Sequence, residues 1–259
     1  MSSHEKVVAI IQARLGSTRL PGKSLMDVYP GLPLVKAVYD RTAAAQGIDE
    51  VVMATTSEAA DDELATYANK SGWRVVRGST DDVLSRFQLA AEDSQADVIV
   101  RITADDSFKD PVVTAQILRR LLERAELDYV SNTIKPTFPE GIDIEVFRRR
   151  ALERAHREAT LKSDREHVTP FIWRQSTLFK IENIEHSSDL SHLRWTIDYP
   201  EDLAFAQAVY QRLYASDRIF LMADILSLLE REPSVRELCT AFQRNKGYLE
   251  SAKKEQSHI

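Results

Sequence analysis

The sequence predicts a three-layer α/β fold: a mainly parallel sheet with helices on both faces, a small inserted lobe and a helical C-terminal tail. Three observations carry that prediction. Through the first half of the chain, short apolar runs of strand length alternate with helical patterns. The first run is apolar at nearly every position, as a strand buried on both faces must be. The 259 residues, 43% apolar and 29% charged, suffice for one sizeable core and have an ordinary globular composition.

Residues 7–13 (VVAIIQA) form the first strand and enter a loop rich in Gly, Ser, Thr and Pro. Helices then read at 34–45, 62–70, 82–92 and 111–124, between strands at 51–55, 74–77, 98–103 and 129–132. Such alternation implies βαβ units. Ligands of these sheets sit beyond the carboxyl ends of the strands, so the loops after Ala13, Arg77 and Thr103 should meet in one crevice. After residue 133 the pattern loosens into a polar loop to Ile142, helices at 149–159 and 164–174, and a strand at 179–182. Residues 133–192 are expected to form a lobe for an acceptor or a second protomer, with Phe138, Phe171, Ile172 and Trp173 as its apolar surface. A strand resumes at 192–197, a helix with Pro at its start covers 200–213, and helices at 223–231 and 235–242 lie in the tail, residues 214–259. The whole chain, 1–259, reads as one domain.

Composition excludes several classes. A net charge of −6 disfavours nucleic acid and anionic lipid as partners. No segment approaches the roughly 18 apolar residues of a membrane span, and the N-terminus shows no cationic leader, so a cytoplasmic location is expected. The single cysteine, Cys239, excludes an internal disulfide and a Cys-rich zinc site and reads as apolar filler. The histidines lack metal-ligand spacing.

The loop after the first strand carries Arg14, Arg19 and Lys23 and no carboxylate. Its G-S-T-R-L-P-G-K-S string is not a P-loop: five residues, not four, separate Gly16 from Gly22, and Pro21 removes a backbone donor. It offers glycine for close approach, hydroxyls, and guanidinium and ammonium groups that suit a triphosphate. Carboxylates follow two strands: Asp105 and Asp106 after 98–103, and Asp198 after 192–197. Asp198 has a second reading as helix N-terminal chemistry.

The string IIQARLGSTRLPGKSL resembles the signature of SpsF-type cytidylyltransferases, relatives of the CMP-KDO and CMP-acylneuraminate synthetases. The resemblance continues through VVMATTSEAADDELATYA, VVRGSTDDVLSRF, ADVIVRITADDSFKDP, DYVSNT, FPEGIDIEVF, DREHVTPFI, DLSHLRWTIDYPEDL and NKGYLES, nearly the whole chain. It implies a nucleotide-diphospho-sugar transferase-like fold and a Mg²⁺-dependent transfer of CMP from CTP to a hydroxyl of a nonulosonate-like sugar acid, with release of pyrophosphate, in surface polysaccharide or glycan precursor synthesis. Asp105 and Asp198 correspond to the metal-holding carboxylates, a donor set that suits a hard cation bridging phosphates. Ala13, Arg14, Gly16, Ser17, Arg19 and Lys23 would hold the triphosphate, and Arg77, Ser79 and Arg101 the base, although an ion pair of Arg77 with Asp81 or Asp82 is an equal reading. Asp143, Glu145, Arg165, Glu166, His167 and Arg194 are the candidate acceptor groups; the pair Arg165 and Arg194 suits a carboxylate, while His167 alone reads as structural.

Where the family reads ITGDCPLID, this chain reads ITADDSFKD, residues 102–110. The extra Asp106 is open to three readings: a further metal ligand, a determinant of acceptor choice, or neither. The resemblance also implies a homodimer. Two other functions share these features: a nucleotide-sugar-dependent glycosyltransferase on the same sheet, and a non-catalytic nucleotide-binding protein.

Overall fold

The computed structural model describes residues 5–239 and residue 251. Its first strand, β1 (Val7–Gln12), shows why the apolar run forms where it does. Val7, Ala9 and Ile11 point to one hydrophobic core and Val8 and Ile10 to the other, so both faces are covered. β1 lies in parallel between β4 (Glu50–Thr56) and β6 (Val98–Thr103), and β5 (Arg74–Gly78) extends the parallel set outward. Beyond β6 the order continues through β8 (Glu145–Arg148), β7 (Tyr129–Ser131) and β9 (Ile181–Asn183), giving a seven-stranded sheet with only β8 antiparallel to its neighbours. A separate hairpin, β2 (Asp27–Tyr29) with β3 (Leu32–Pro33), turns at Gly31.

Helices cover both faces. α1 (Leu34–Ala43), α2 (Asp62–Lys70), α4 (Pro111–Leu122), α8 (Pro200–Leu213) and α9 (Met222–Arg231) bury residues in the first core, while α3 (Val83–Asp93) and α5 (Arg149–Glu158) pack on the second. Asp110 caps α4 through the amides of Val112 and Val113 at 2.8 and 3.2 Å, and Pro111 opens it. The sequence therefore marks this helix start twice.

Three expectations change. The short run 145–148 is a strand, unrecognised because its end residues, Glu145 and Arg148, are charged; both are buried through ion pairs. The helix read at 164–174 is two, α6 (Lys162–His167) and α7 (Pro170–Trp173): Val168 takes φ 72°, and Pro170 has no amide to continue the ladder. Residues 192–197 form no strand but a single bridge, Glu140 to Arg194. There the backbones touch, and a Cβ on Gly141 would lie 2.9 Å from the carbonyl carbon of Trp195.

The segment 133–192 contributes β8 and β9 to the main sheet, and Phe138 and Ile172 are buried in the cores rather than offered to a partner. In the tail, α10 (Pro233–Arg236) follows α9, and the remainder of the helix read at 235–242, with the NKGYLES block except Ser251, lies outside the described residues. Among the described residues no helix is long and apolar enough to cross a membrane.

Candidate active site

A cleft of about 1030 Å³ opens at the carboxyl edge of the sheet, where the loops after β1, β5 and β6 meet. The loop after β1 is shaped by its own backbone. Gly22 takes φ 74° and its amide donates to the carbonyl of Leu15 at 3.0 Å, closing the loop on itself. The amide of Leu15 donates to Asp61 at 2.6 Å, which anchors the loop to the end of β4. A single 3₁₀ turn, Lys23–Leu25, then aims Lys23 inward.

Lys23 Nζ donates to Asp105 Oδ2 at 3.1 Å, to Asp198 Oδ1 at 3.0 Å and to the carbonyl of Ile197 at 2.7 Å. One ammonium thus joins both carboxylates. Burial alone would lower its pKa, but Asp105 and Asp198 outweigh that and hold it above the ordinary value. The Asp105 carboxyl, which burial would push up, is held well below its usual range by Lys23. It stays ionised at any physiological pH, a property of a cation ligand rather than a base.

Asp198 is gripped from two further sides. Arg19 reaches Oδ1 at 2.7 Å and stacks 5.4 Å over the Tyr199 ring, while Arg194 reaches Oδ2 at 3.1 Å from behind. Arg194 is itself buried and also pairs with Asp202 at 2.6 Å and Glu140 at 3.6 Å. Asp202 accepts from the amides of Asp198 and Tyr199 at 2.8 and 2.9 Å, so the helix N-terminal chemistry at this point is carried by Asp202 and leaves Asp198 facing the cleft.

Among the described residues no group of three His, Cys, Asp or Glu side chains could by itself hold a metal. Two carboxylates already converging on one cation are, however, a donor set that fits a hard divalent ion completed by water and phosphate oxygens. Asp106 is not part of it. Its carboxylate turns inward to Lys109 at 2.7 Å and accepts from Thr103 at 2.7 Å, and Lys109, fully buried, also meets the carbonyl of Asp143.

Of the residues singled out from sequence, Ala13, Arg14, Ser17, Arg19, Lys23, Arg101, Asp105, Glu166, His167 and Asp198 line the cleft. Gly16 sits in the same loop with open space beside it. Six stand elsewhere, each for a physical reason. Arg77 is turned to Asp62 at 2.7 Å and to the carbonyls of Thr56 and Glu58, not to Asp81 or Asp82. Ser79 accepts from the amide of Asp82 at 3.1 Å as a local cap. Asp143 presents its carbonyl to Lys109. Glu145 is buried between Arg101, Tyr129 and Thr169. Arg165 is held by Asp82 at 2.6 Å, and Arg194 lies behind Asp198. The cationic pair expected for an acceptor carboxylate is therefore neutralised by the protein's own carboxylates. Sequence reasoning passed over Lys162 and Arg86, both on the cleft wall; an arginine within the apolar stripe of α3 is the signal that marks the second.

The chain carrying this site has counterparts among known proteins. The model of the cytidylyltransferase family matches residues 8–223. The chain belongs to that family. It is similar to the spore coat polysaccharide biosynthesis protein SpsF of Bacillus subtilis, 33% identical over 88% of this chain and 95% of that one. A solved cytidylyltransferase from Leptospira borgpetersenii superposes with a TM-score of 0.85 at 30% identity, covering 93% of this chain and all of its own. The 3-deoxy-manno-octulosonate cytidylyltransferase of Geobacter sulfurreducens is 38% identical over 119 residues, 45% of this chain and 46% of that one. The two Asp positions and the loop Arg14–Lys23 all fall within the family match.

Proposed function

We propose that this cytidylyltransferase family member transfers CMP from CTP to a hydroxyl of a sugar acid, releasing pyrophosphate, in the synthesis of a glycan precursor. The observation that carries the reading is Lys23, which the cationic loop after β1 delivers between Asp105 and Asp198 in the cleft. The sugar-acid acceptor is inferred from the octulosonate relative, and the glycan setting from the spore coat polysaccharide relative.

In this reading an acceptor oxygen forms a bond to the α-phosphorus of CTP, the bond from that phosphorus to the bridging oxygen breaks, and pyrophosphate leaves with its electron pair. The hydroxyl proton passes to solvent. Positioning and charge neutralisation do most of the work in such displacements. Lys23 and Arg19 exchange their carboxylate partners for phosphate oxygens when the nucleotide enters, which frees Asp105 and Asp198. Mg²⁺ on those two carboxylates would polarise the α-phosphate and acidify the attacking hydroxyl. Arg14 and Arg19 stabilise the departing pyrophosphate. The acceptor enters from the wall formed by Leu161, Lys162, Glu166 and His167.

The test is pyrophosphate release from CTP and Mg²⁺ with a panel of hydroxylated sugar acids. Release that requires one acid class and yields a CMP-linked product supports the reading. Transfer from a nucleotide sugar without pyrophosphate, or CTP binding with no turnover on any acceptor, overturns it.

A further inference from the structure

Helix α3 lays an apolar stripe against the sheet, and one member of that stripe is a cation. Val83, Leu84, Phe87, Ala90 and Ala91 are buried there, and so is Arg86, only 3% exposed. Its Nε and Nη1 atoms are buried with no hydrogen-bond partner, and its side chain lines the cleft. Burial, and after it the neighbouring Arg14 guanidinium, pulls its pKa down to about 10. The backbone makes room for it: a Cβ on Gly78, at the end of β5, would lie 2.9 Å from Arg86 Cγ. A desolvated guanidinium with idle donors is unfavourable until something brings acceptors to it.

We propose that Arg86 reads the base of the bound nucleotide, its terminal fork, the idle Nη1 with Nη2, being met by the two-acceptor edge of a cytosine ring, the O2 carbonyl and N3. The proposal rests on the reading that this cleft takes CTP. Place selects the base over the polyphosphate: Arg86 lies on α3 beside the β5 end of the cleft, where Asp81 also lines the wall and Asp82 is already paired with Arg165. The cations fitted to phosphate, Arg19 and Lys23, gather instead at Asp105 and Asp198. Arg77, the other cation at the end of β5, is turned away to Asp62. Uracil presents an N–H at the position where cytosine presents a lone pair, so two guanidinium donors favour cytosine.

The experiment compares wild-type protein with Arg86→Met by calorimetric titration with CTP, UTP and inorganic tripolyphosphate. The wild type should prefer CTP over UTP by about tenfold or more, the scale of a two-point contact to a base edge. In Arg86→Met, CTP affinity should fall about tenfold, the CTP preference should shrink to about twofold, and tripolyphosphate affinity should stay unchanged. Ligand-free Arg86→Met should melt no lower than wild type, because an unpaired buried cation has been replaced by an apolar chain. Arg86→Gln, which keeps one amide donor, should lie between the two and serves if the methionine variant does not fold. An equal loss for CTP and tripolyphosphate would make Arg86 a phosphate ligand and overturn the proposal, as would unchanged CTP affinity. Wild-type protein that binds tripolyphosphate but shows no preference for CTP would overturn the cytidine reading and this one with it.

Discussion

The amide of Ile197 donates to the backbone carbonyl of Asp105 at 2.9 Å, so the loop after β6 and the segment before α8 are stitched together one residue from Asp198. The two carboxylates come from positions far apart in the chain, yet their placement relative to each other is set by main-chain contact rather than by side-chain packing. That is the kind of support a shared cation site requires.

Replacing either carboxylate should therefore remove chemistry and spare the fold. Asp105→Asn and Asp198→Asn keep an oxygen acceptor for Lys23 while removing a hard anionic ligand. Pyrophosphate release at saturating CTP and Mg²⁺ should fall by about a hundredfold or more, the equivalent of roughly 3 kcal/mol of transition-state stabilisation. Melting temperature should move little. Near-full activity in Asp198→Asn would refute the two-carboxylate mechanism.

Lys23 offers a readout that does not depend on turnover. Its ammonium is the cation that Asp105 and Asp198 share without nucleotide. Lys23→Met leaves Asp105 without its counter-ion and Asp198 with only Arg19 and Arg194, so the ligand-free variant should bind Mn²⁺ more tightly than wild type, by about tenfold, while losing most of its turnover. Electron paramagnetic titration of free Mn²⁺ measures the first effect. Weaker Mn²⁺ binding in the variant would show that the carboxylates do not converge on a single cation.

The sheet and the first loop were legible because their signals are local. An apolar run such as residues 7–12, followed by a string with two glycines and a proline, specifies strand then loop with no knowledge of the rest. The strand-end position of Asp105 follows from the same reasoning; Asp198, read as following a strand at 192–197, follows a crossing segment with a single bridge instead. Partner choice was not legible. Arg165 meets Asp82 across 83 positions, and Arg19 meets Asp198 across 179, so no window of sequence reveals which cations are already neutralised. Glu145 was read as an acceptor group for the same reason, its partners lying on β6, β7 and the turn before α7. A buried charge looks like a site charge until its counter-ion is known.

Glu145 gives the pH prediction. Burial alone would raise its pKa, but Arg101, with the hydroxyls of Thr169 and Tyr129, outweighs burial and holds it below the ordinary value. A carboxylate whose pKa is depressed by folding adds stability above its unfolded value, about 4.3, and that contribution is lost as pH falls through the folded value. Glu145→Gln strands Arg101 without its counter-ion and should cost about 3 kcal/mol at pH 7. The gap from wild type should narrow as pH drops below about 4, when the wild-type carboxylate also protonates. Urea unfolding across that range tests it; a gap that stays constant with pH would deny the ion pair its role.

Arg194 is placed as a brace for the Asp198 segment, since it joins Glu140, Asp198 and Asp202 while buried. Arg194→Lys keeps the charge but loses the fork. The melting temperature should drop by several degrees, with the KM for the acceptor unchanged within about twofold. A large rise in that KM with no loss of stability would return Arg194 to the acceptor site.

Gly141 sits where the segment carrying Asp198 crosses the chain before β8. It takes φ 102°, and a Cβ there would lie 2.9 Å from the carbonyl carbon of Trp195, 3.0 Å from the amide nitrogen of Thr196 and 3.1 Å from the Trp195 oxygen. All three are backbone atoms, which cannot rotate away. Gly141→Ala therefore forces residues 195–197 to move, and with them the bond from Ile197 to Asp105. Gly31, in the β2–β3 turn, supplies the control: its φ is 76°, but nothing lies within 4 Å of the added carbon. Gly31→Ala should cost only the backbone term, about 1 kcal/mol, and leave kcat unchanged. Gly141→Ala should cost about 2 kcal/mol or more and also lower kcat by about tenfold in conditions where the variant is fully folded. If both variants lose stability alike and neither loses kcat, the crossing at Trp195 does not set the position of Asp198.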